Sequence, residues 1–63
     1  MKLLDYLKET YNLKNDAEIS RRLEVAPPVI SRIRSGKINV SAEIMIRIHE
    51  TFDMPIKEIK ALI

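Results

Sequence analysis

A pair of short helical patterns on either side of a tight break constrains this chain more than any other feature of its sequence. Both patterns fall within residues 16–37, DAEISRRLEVAPPVISRIRSGK. In the first pattern Ile19 and Leu23 are four residues apart, and in the second Ile30 and Ile33 are three apart. Residues at these spacings share one face of an α-helix, so the segment is predicted to form two helices joined by a short turn.

Two consecutive prolines mark the start of the second of these helices. Pro27 and Pro28 fall in its first turn, where their missing N–H groups would have no intrahelical partner in any case, so they begin the helix and do not break it. A helix over residues 26–35 is predicted, with Ala26 at the cap position and Gly36 as the left-handed stop.

Upstream of this segment, leucine spacing predicts a first helix over residues 2–11. Asn15 is then expected to cap the second helix, which ends at about Leu23. Glu18 is three residues after that cap, where its carboxylate can complete a capping box.

A serine and a proline mark the starts of two more helices. Ser41 is predicted to cap a fourth helix in which Met45, Ile48 and Phe52 share one face. Pro55 begins a fifth helix that continues to the end of the sequence. Together the patterns predict an all-α fold of five helices.

Cysteine and histidine usage excludes several classes of site. The 63 residues include no cysteine and one histidine, which leaves no disulfide framework, no thiolate metal cage and no pair of imidazoles. Catalysis would require His49 to meet a serine in a pocket for which so short a chain has little room. We therefore predict one domain over residues 1–63 that is not an enzyme and uses no metal, cofactor or small-molecule ligand.

Charged residues interrupt the apolar start of the chain. Asp5, Lys8 and Glu9 divide the stretch MKLLDYLKE, and no apolar run of about 18 residues occurs anywhere in the sequence. These features predict no signal peptide, no membrane partner and a cytoplasmic location.

Positive charge is concentrated in one stretch. The formal net charge is +2, but residues 21–40 hold five basic residues against one acidic residue. A local basic surface on a nearly neutral domain is typical of a protein that binds DNA, although the same charges also suit a solvated helix face.

Two short helices joined by a tight turn have the layout of a helix-turn-helix motif, whose second helix enters the major groove of DNA. With Ile30 and Ile33 facing inward, the helix over residues 26–35 turns four candidate base-reading side chains outward. They are Pro27, Pro28, Ser31 and Arg32. Arg32 can donate two hydrogen bonds to one guanine; a phosphate contact or a solvated arginine is the alternative.

Polar residues near helix ends are the candidates for phosphate binding. Amide and hydroxyl donors at helix starts, and a lysine in the loop after the second helix of the motif, suit phosphate oxygens. The predicted set is Asn15, Ser35, Lys37 and Asn39. Contacts of this kind make affinity fall steeply with salt concentration.

The order of five helices, with LEVAPPVISRIRSGK at the second and third and NVSAEIMIRIHETFDMPIKEI after them, resembles the lambdoid phage repressor and Cro family, often called the Xre type. The likeness covers roughly residues 3–60. It implies a lambda-repressor-like fold and a sequence-specific, dimeric transcriptional regulator of double-stranded DNA with a pseudo-palindromic operator. The short chain favours a Cro-like protein or a stand-alone repressor of the bacterial cytoplasm or nucleoid, with a phage gene as one source.

Several positions depart from the family pattern. The family commonly has glycine where this chain has Glu24 and Asp53, at positions that favour a positive φ. Where the family has a phosphate-contacting glutamine this chain has Asp16, whose carboxylate would repel a phosphate and instead suits the dipole at the start of the second helix. An ion pair commonly joins the first helix to the recognition helix, and Glu9 and Arg34 are predicted to form it with the charges exchanged.

Apolar residues of the last two helices are candidates for a homodimer interface, since the family's dimers use the carboxy-terminal region. These residues are Ile44, Ile46, Ile56, Leu62 and Ile63. Closing the monomer core is the alternative role for them. A second function also stays open, because antitoxin-like regulators share the fold and act as protein-interaction modules.

Overall fold

Five α-helices and no strand make up the computed structural model, which describes all residues 1–63. In chain order they are α1 (Lys2–Thr10), α2 (Asp16–Leu23), α3 (Pro27–Arg34), α4 (Ala42–Phe52) and α5 (Ile56–Leu62). The predicted all-α fold is confirmed, and the helix ends differ from prediction by a residue. None of the five helices has the length and the apolar character that a membrane span requires.

Side-chain caps start two of the helices as the sequence predicts. The Asn15 Oδ1 atom accepts a hydrogen bond from the Glu18 amide at 3.1 Å, and Ser41 Oγ accepts one from the Ile44 amide at 3.2 Å. The capping box at α2 closes one residue earlier than expected, because the Glu18 carboxylate accepts from the amide of Lys14.

Left-handed residues end several of the helices. Glu24 and Asp53 have φ values of 58° and 53°, and Gly36 has a φ of 81°, all as predicted. Asn12, with a φ of 56°, is a fourth such position that the sequence analysis did not identify. A left-handed conformation costs a residue with a Cβ atom about 1 kcal/mol, so these turns depend on the packing around them.

All five helices contribute to a single apolar core. The fully buried apolar side chains of the first three helices lie on the faces where the helices meet, and they are Leu3, Leu4, Leu7, Ile19, Leu23 and Ile30. Ile48 of α4 and Ile59 of α5 close the core from the other side. The core thus holds α3 by its inner face alone.

The buried face of α4 differs from the predicted one. Ile44, Ile48 and Phe52 are buried, whereas Met45 is half-buried. Helical periodicity allows both choices, since Ile44 lies four residues and Met45 three residues before Ile48, each about one turn away. Ile44 therefore belongs to the monomer core and is removed from the predicted dimer interface.

Candidate nucleic-acid interface

The outer face of α3 carries the four predicted base-reading residues. Pro27, Pro28, Ser31 and Arg32 are all exposed. On the opposite side Ile30 and Ile33 keep only 1% and 4% of their surface accessible. The prolines begin the helix at its first two positions, as predicted, which fixes its direction with no unsatisfied N–H group. Contact of these side chains with bases stays a prediction.

Arg32 differs from most other cations of this region in having no partner within the chain. Arg22 lies with its guanidinium 5.4 Å from the centre of the Phe52 ring, and Arg21 lies 3.9 Å from the Glu18 carboxylate. Arg34 is engaged with carboxylates. Among the five basic residues of the positive stretch, Arg32 and Lys37 are therefore the two that form neither a salt bridge nor a cation–π contact within the chain.

The loop after α3 is folded back onto the end of that helix. The Arg32 carbonyl oxygen accepts hydrogen bonds from the amides of Lys37 at 2.9 Å and Ile38 at 3.4 Å, and from Ser35 Oγ at 3.1 Å. Gly36, in its left-handed conformation, makes this reversal possible. The loop that carries Lys37 and Asn39 is thereby fixed next to the candidate base-reading face.

The four predicted phosphate-binding residues are exposed, but they differ in what their side chains already do. Asn15 uses its amide oxygen to cap α2, and Ser35 donates its hydroxyl hydrogen to the end of α3. The side chains of Lys37 and Asn39 form no hydrogen bond within the chain. Phosphate contact by this set stays a prediction, with Lys37 and Asn39 its freest members.

The predicted ion pair between Glu9 and Arg34 is wrong in its acidic partner. The Arg34 guanidinium binds both carboxylate oxygens of Asp16, with Nη2 at 2.9 Å from Oδ1, and its Nη1 atom donates to Asp5 Oδ1 at 3.0 Å. Asp5 is one helical turn before Glu9 on α1, and Glu9 stays exposed. One arginine therefore ties α3 to both α1 and α2.

These bonds shift the protonation equilibria of the two ends of the cluster. The hydrogen bonds to Asp16 raise the pKa of Arg34 above its ordinary range, with Asp5 adding to the effect. The hydrogen bond from Arg34 lowers the pKa of Asp5 below its usual value. Because the Asp16 carboxylate is compensated by Arg34, its negative charge is no longer free to repel a phosphate near the start of α2.

Arg47 of α4 is a structural residue that the sequence analysis missed. Its Nη1 atom donates to the carbonyl oxygens of Leu23 at 3.1 Å and Glu24 at 3.4 Å, and Nη2 lies 3.3 Å from the Glu43 carboxylate. The spacing of four residues between Glu43 and Arg47 was visible in the sequence. The bonds to backbone carbonyls on another helix were not, since they depend on how α4 crosses the turn.

His49 is an exposed residue that forms a hydrogen bond to the backbone. Its Nδ1 atom lies 2.7 Å from the carbonyl oxygen of Met54, across the turn between α4 and α5. No group of three or more histidine, cysteine, aspartate or glutamate side chains is placed to hold a metal ion.

Comparison with known protein families gives one match. A model of the helix-turn-helix family matches residues 4–59, a stretch that includes all of α2, α3 and α4. Comparisons with curated proteins and with solved structures give no match.

Proposed function

The chain belongs to the helix-turn-helix family of the Xre and lambda-repressor type, and on that premise we propose that it is a sequence-specific transcriptional regulator that reads the major groove with α3. Family membership implies DNA binding of the transcription-regulator type, and the family is typically non-enzymatic. The proposal adds a Cro-like or stand-alone repressor role, a pseudo-palindromic operator and specific contact residues.

One observation carries this proposal. The outer face of α3 is exposed and includes an arginine with no intramolecular partner, while the inner face of the helix is fixed by the core and by Arg34. A guanidinium at such a position can donate two hydrogen bonds to the O6 and N7 atoms of guanine. Arg32 is accordingly the residue proposed to provide most of the direct base recognition.

The neighbouring residues supply contacts of other kinds. Pro27 and Pro28 offer apolar surface suited to a thymine methyl group, and the Ser31 hydroxyl can donate or accept. Asn15, Ser35, Lys37 and Asn39 are proposed to bind phosphates on either side of the groove. A face with a single arginine reads few bases directly, so DNA shape contributes the remaining specificity.

Two copies of the chain are proposed to bind together. One module of this size makes few base contacts, and paired recognition helices reach half-sites about 34 Å apart. Ile46 and Ile63 remain 52% and 56% exposed, and they are the proposed centre of a homodimer interface. An Ile46→Glu variant is expected to be monomeric in light scattering, to fold normally and to lose cooperative DNA binding.

The proposed function is tested by selection of binding sites from a random duplex library. Enrichment of one sequence with two symmetric halves is expected, and the logarithm of affinity should fall by about 0.9 per phosphate contacted for each tenfold rise in salt. Absence of any enriched sequence, with stable co-purification of a partner protein, would reject the regulator and support the protein-interaction alternative.

A further inference from the structure

The turn between α2 and α3 has a conformation that its own sequence does not favour. It consists of three residues, and the first of them, Glu24, is left-handed although it has a Cβ atom. The direction in which α3 leaves α2 is set here. A turn without a glycine needs support from outside the turn to keep that direction.

Hydrogen bonds between backbone groups satisfy the turn only in part. The amides of Glu24 and Val25 donate to the carbonyls of Arg21 at 3.3 Å and Ser20 at 3.1 Å, as in a Schellman motif. The carbonyls of Leu23 and Glu24 are left without an amide partner by this arrangement. Both of them accept from the Nη1 atom of Arg47.

We propose that Arg47 is a positioning residue for DNA binding, which holds α3 at its working angle by fixing the preceding turn against α4. The inference rests on the proposed function, because the face it positions is the candidate base-reading face. A cation at the carboxyl end of α2 is also favoured by the dipole of that helix. The Glu43 carboxylate, one turn earlier on α4, accepts a hydrogen bond from the same guanidinium and helps to hold it in place.

The location of Arg47 in the chain extends its effect to both ends of α3. The helix that carries it begins directly after the loop of Lys37 and Asn39, which is itself bonded to the end of α3. Arg47 therefore connects the turn before α3 to the helix after it. Loss of this connection is expected to change the angle between the base-reading face and the phosphate-binding loop.

The test compares Arg47→Met, which keeps the length of the side chain and removes its donors, with Arg21→Met as the matched control. Arg21 is an exposed arginine of α2, so both variants lose one positive charge and the same diffuse attraction to DNA. The probe is the duplex enriched from the random library, at a temperature where circular dichroism shows every variant folded. Arg47→Met is expected to bind about fivefold or more weakly than Arg21→Met.

Two further readouts separate positioning from other roles. The slope of log affinity against log salt should be the same for Arg47→Met and Arg21→Met, because a positioning role gives Arg47 no phosphate contact. Arg47→Lys, which has an ammonium group in place of the guanidinium, should recover part of the affinity. Equal affinities of the two methionine variants would overturn the inference, and so would a slope reduced by about 0.9 in Arg47→Met alone, which marks a direct phosphate contact.

Hydrogen exchange tests the same inference without DNA. In Arg47→Met the amides of Val25 and Val29, which donate to Ser20 and Ala26, should exchange faster, while those of α1 and α5 keep their rates. Uniform acceleration over all helices would show a loss of global stability only and would reject the positioning role. A wild type that enriches no duplex rejects the proposed function, and the exchange result still decides whether Arg47 fixes the turn.

Discussion

The outer and inner sides of α3 use the same kind of side chain for opposite purposes. Arg32 and Arg34 are two residues apart, which separates them by about 200° around the helix. Arg34 donates from all three nitrogens of its guanidinium to Asp5 and Asp16, whereas the Arg32 side chain has no partner in the chain.

The difference shows that position on the helix, more than residue type, determines the role of an arginine here. The inner side of α3 faces two helices that each contribute an aspartate, whereas its outer side is exposed to solvent. Stability and DNA recognition should therefore be separable by changing one side at a time.

The largest effect that would separate the two sides is expected from Arg32→Ala. Loss of a bidentate guanine contact should weaken binding to the selected duplex by about 1–3 kcal/mol, or about 5- to 150-fold, and leave the melting temperature unchanged. Fluorescence anisotropy with matched and mutated duplexes measures the preference. Arg32→Lys keeps the charge but lacks the paired donors of the guanidinium, so it should also lose the sequence preference. A retained sequence preference in either variant would contradict direct readout by Arg32.

The next largest effect is expected from a substitution on the inner side of α3. Arg34→Met should lower the free energy of unfolding by about 1–2 kcal/mol, since it removes charge-assisted hydrogen bonds that are partly open to solvent. Thermal denaturation of Arg34→Met, Asp16→Asn and the double variant should give non-additive losses. Glu9→Ala serves as the control and should have no effect; additive losses would mean that Arg34 and Asp16 stabilise the fold independently.

A smaller change in stability is expected from a substitution in the turn between α2 and α3. Replacement of Glu24 by glycine removes the cost of a left-handed residue and should raise the free energy of unfolding by about 0.5–1 kcal/mol. Arg47 bonds to the backbone at this position, so its contacts survive the substitution. Sequence preference in the selection assay should be unchanged, and a lower melting temperature would show that the Glu24 side chain has a stabilising role of its own.

Local patterns were enough to predict much of this structure. The caps Asn15 and Ser41, the starting prolines and the left-handed Gly36 act within a few residues of themselves, so spacing alone identified them. The outward face of α3 followed from the spacing of Ile30 and Ile33. The functional meaning of that face depends on family membership, which the match over residues 4–59 establishes.

Contacts between helices could not be predicted in the same way. Glu9 and Asp5 lie one turn apart on α1, so periodicity allows either to face Arg34, and only the position of α1 relative to α3 in the folded chain selects Asp5. Arg47 reaches two carbonyls that lie more than 20 residues away in sequence. Backbone acceptors have no sequence signature, because every residue carries one.

The smallest effect concerns the ion pair between Asp5 and Arg34 and the pH dependence of its contribution to stability. The pKa of Asp5 is lowered in the folded protein by the hydrogen bond from Arg34, so its ionised form is favoured by folding. The resulting stabilisation is present above about pH 4, the ordinary pKa of aspartate, and is lost as the pH falls through the lower folded value.

Asp5→Asn keeps an oxygen that accepts a weaker hydrogen bond from Arg34 but has no charge to titrate. The variant should melt slightly below the wild type at pH 7, and the difference should vanish at an acidic pH below the folded pKa of Asp5, where the wild-type carboxylate is protonated. Glu9→Gln is the matched control on the same helix and should show no difference at either pH. If the melting temperature of Asp5→Asn stays below that of the wild type at the lower pH, the effect is due to packing. Asp16 would then be the only acidic partner through which Arg34 stabilises the inner side of α3.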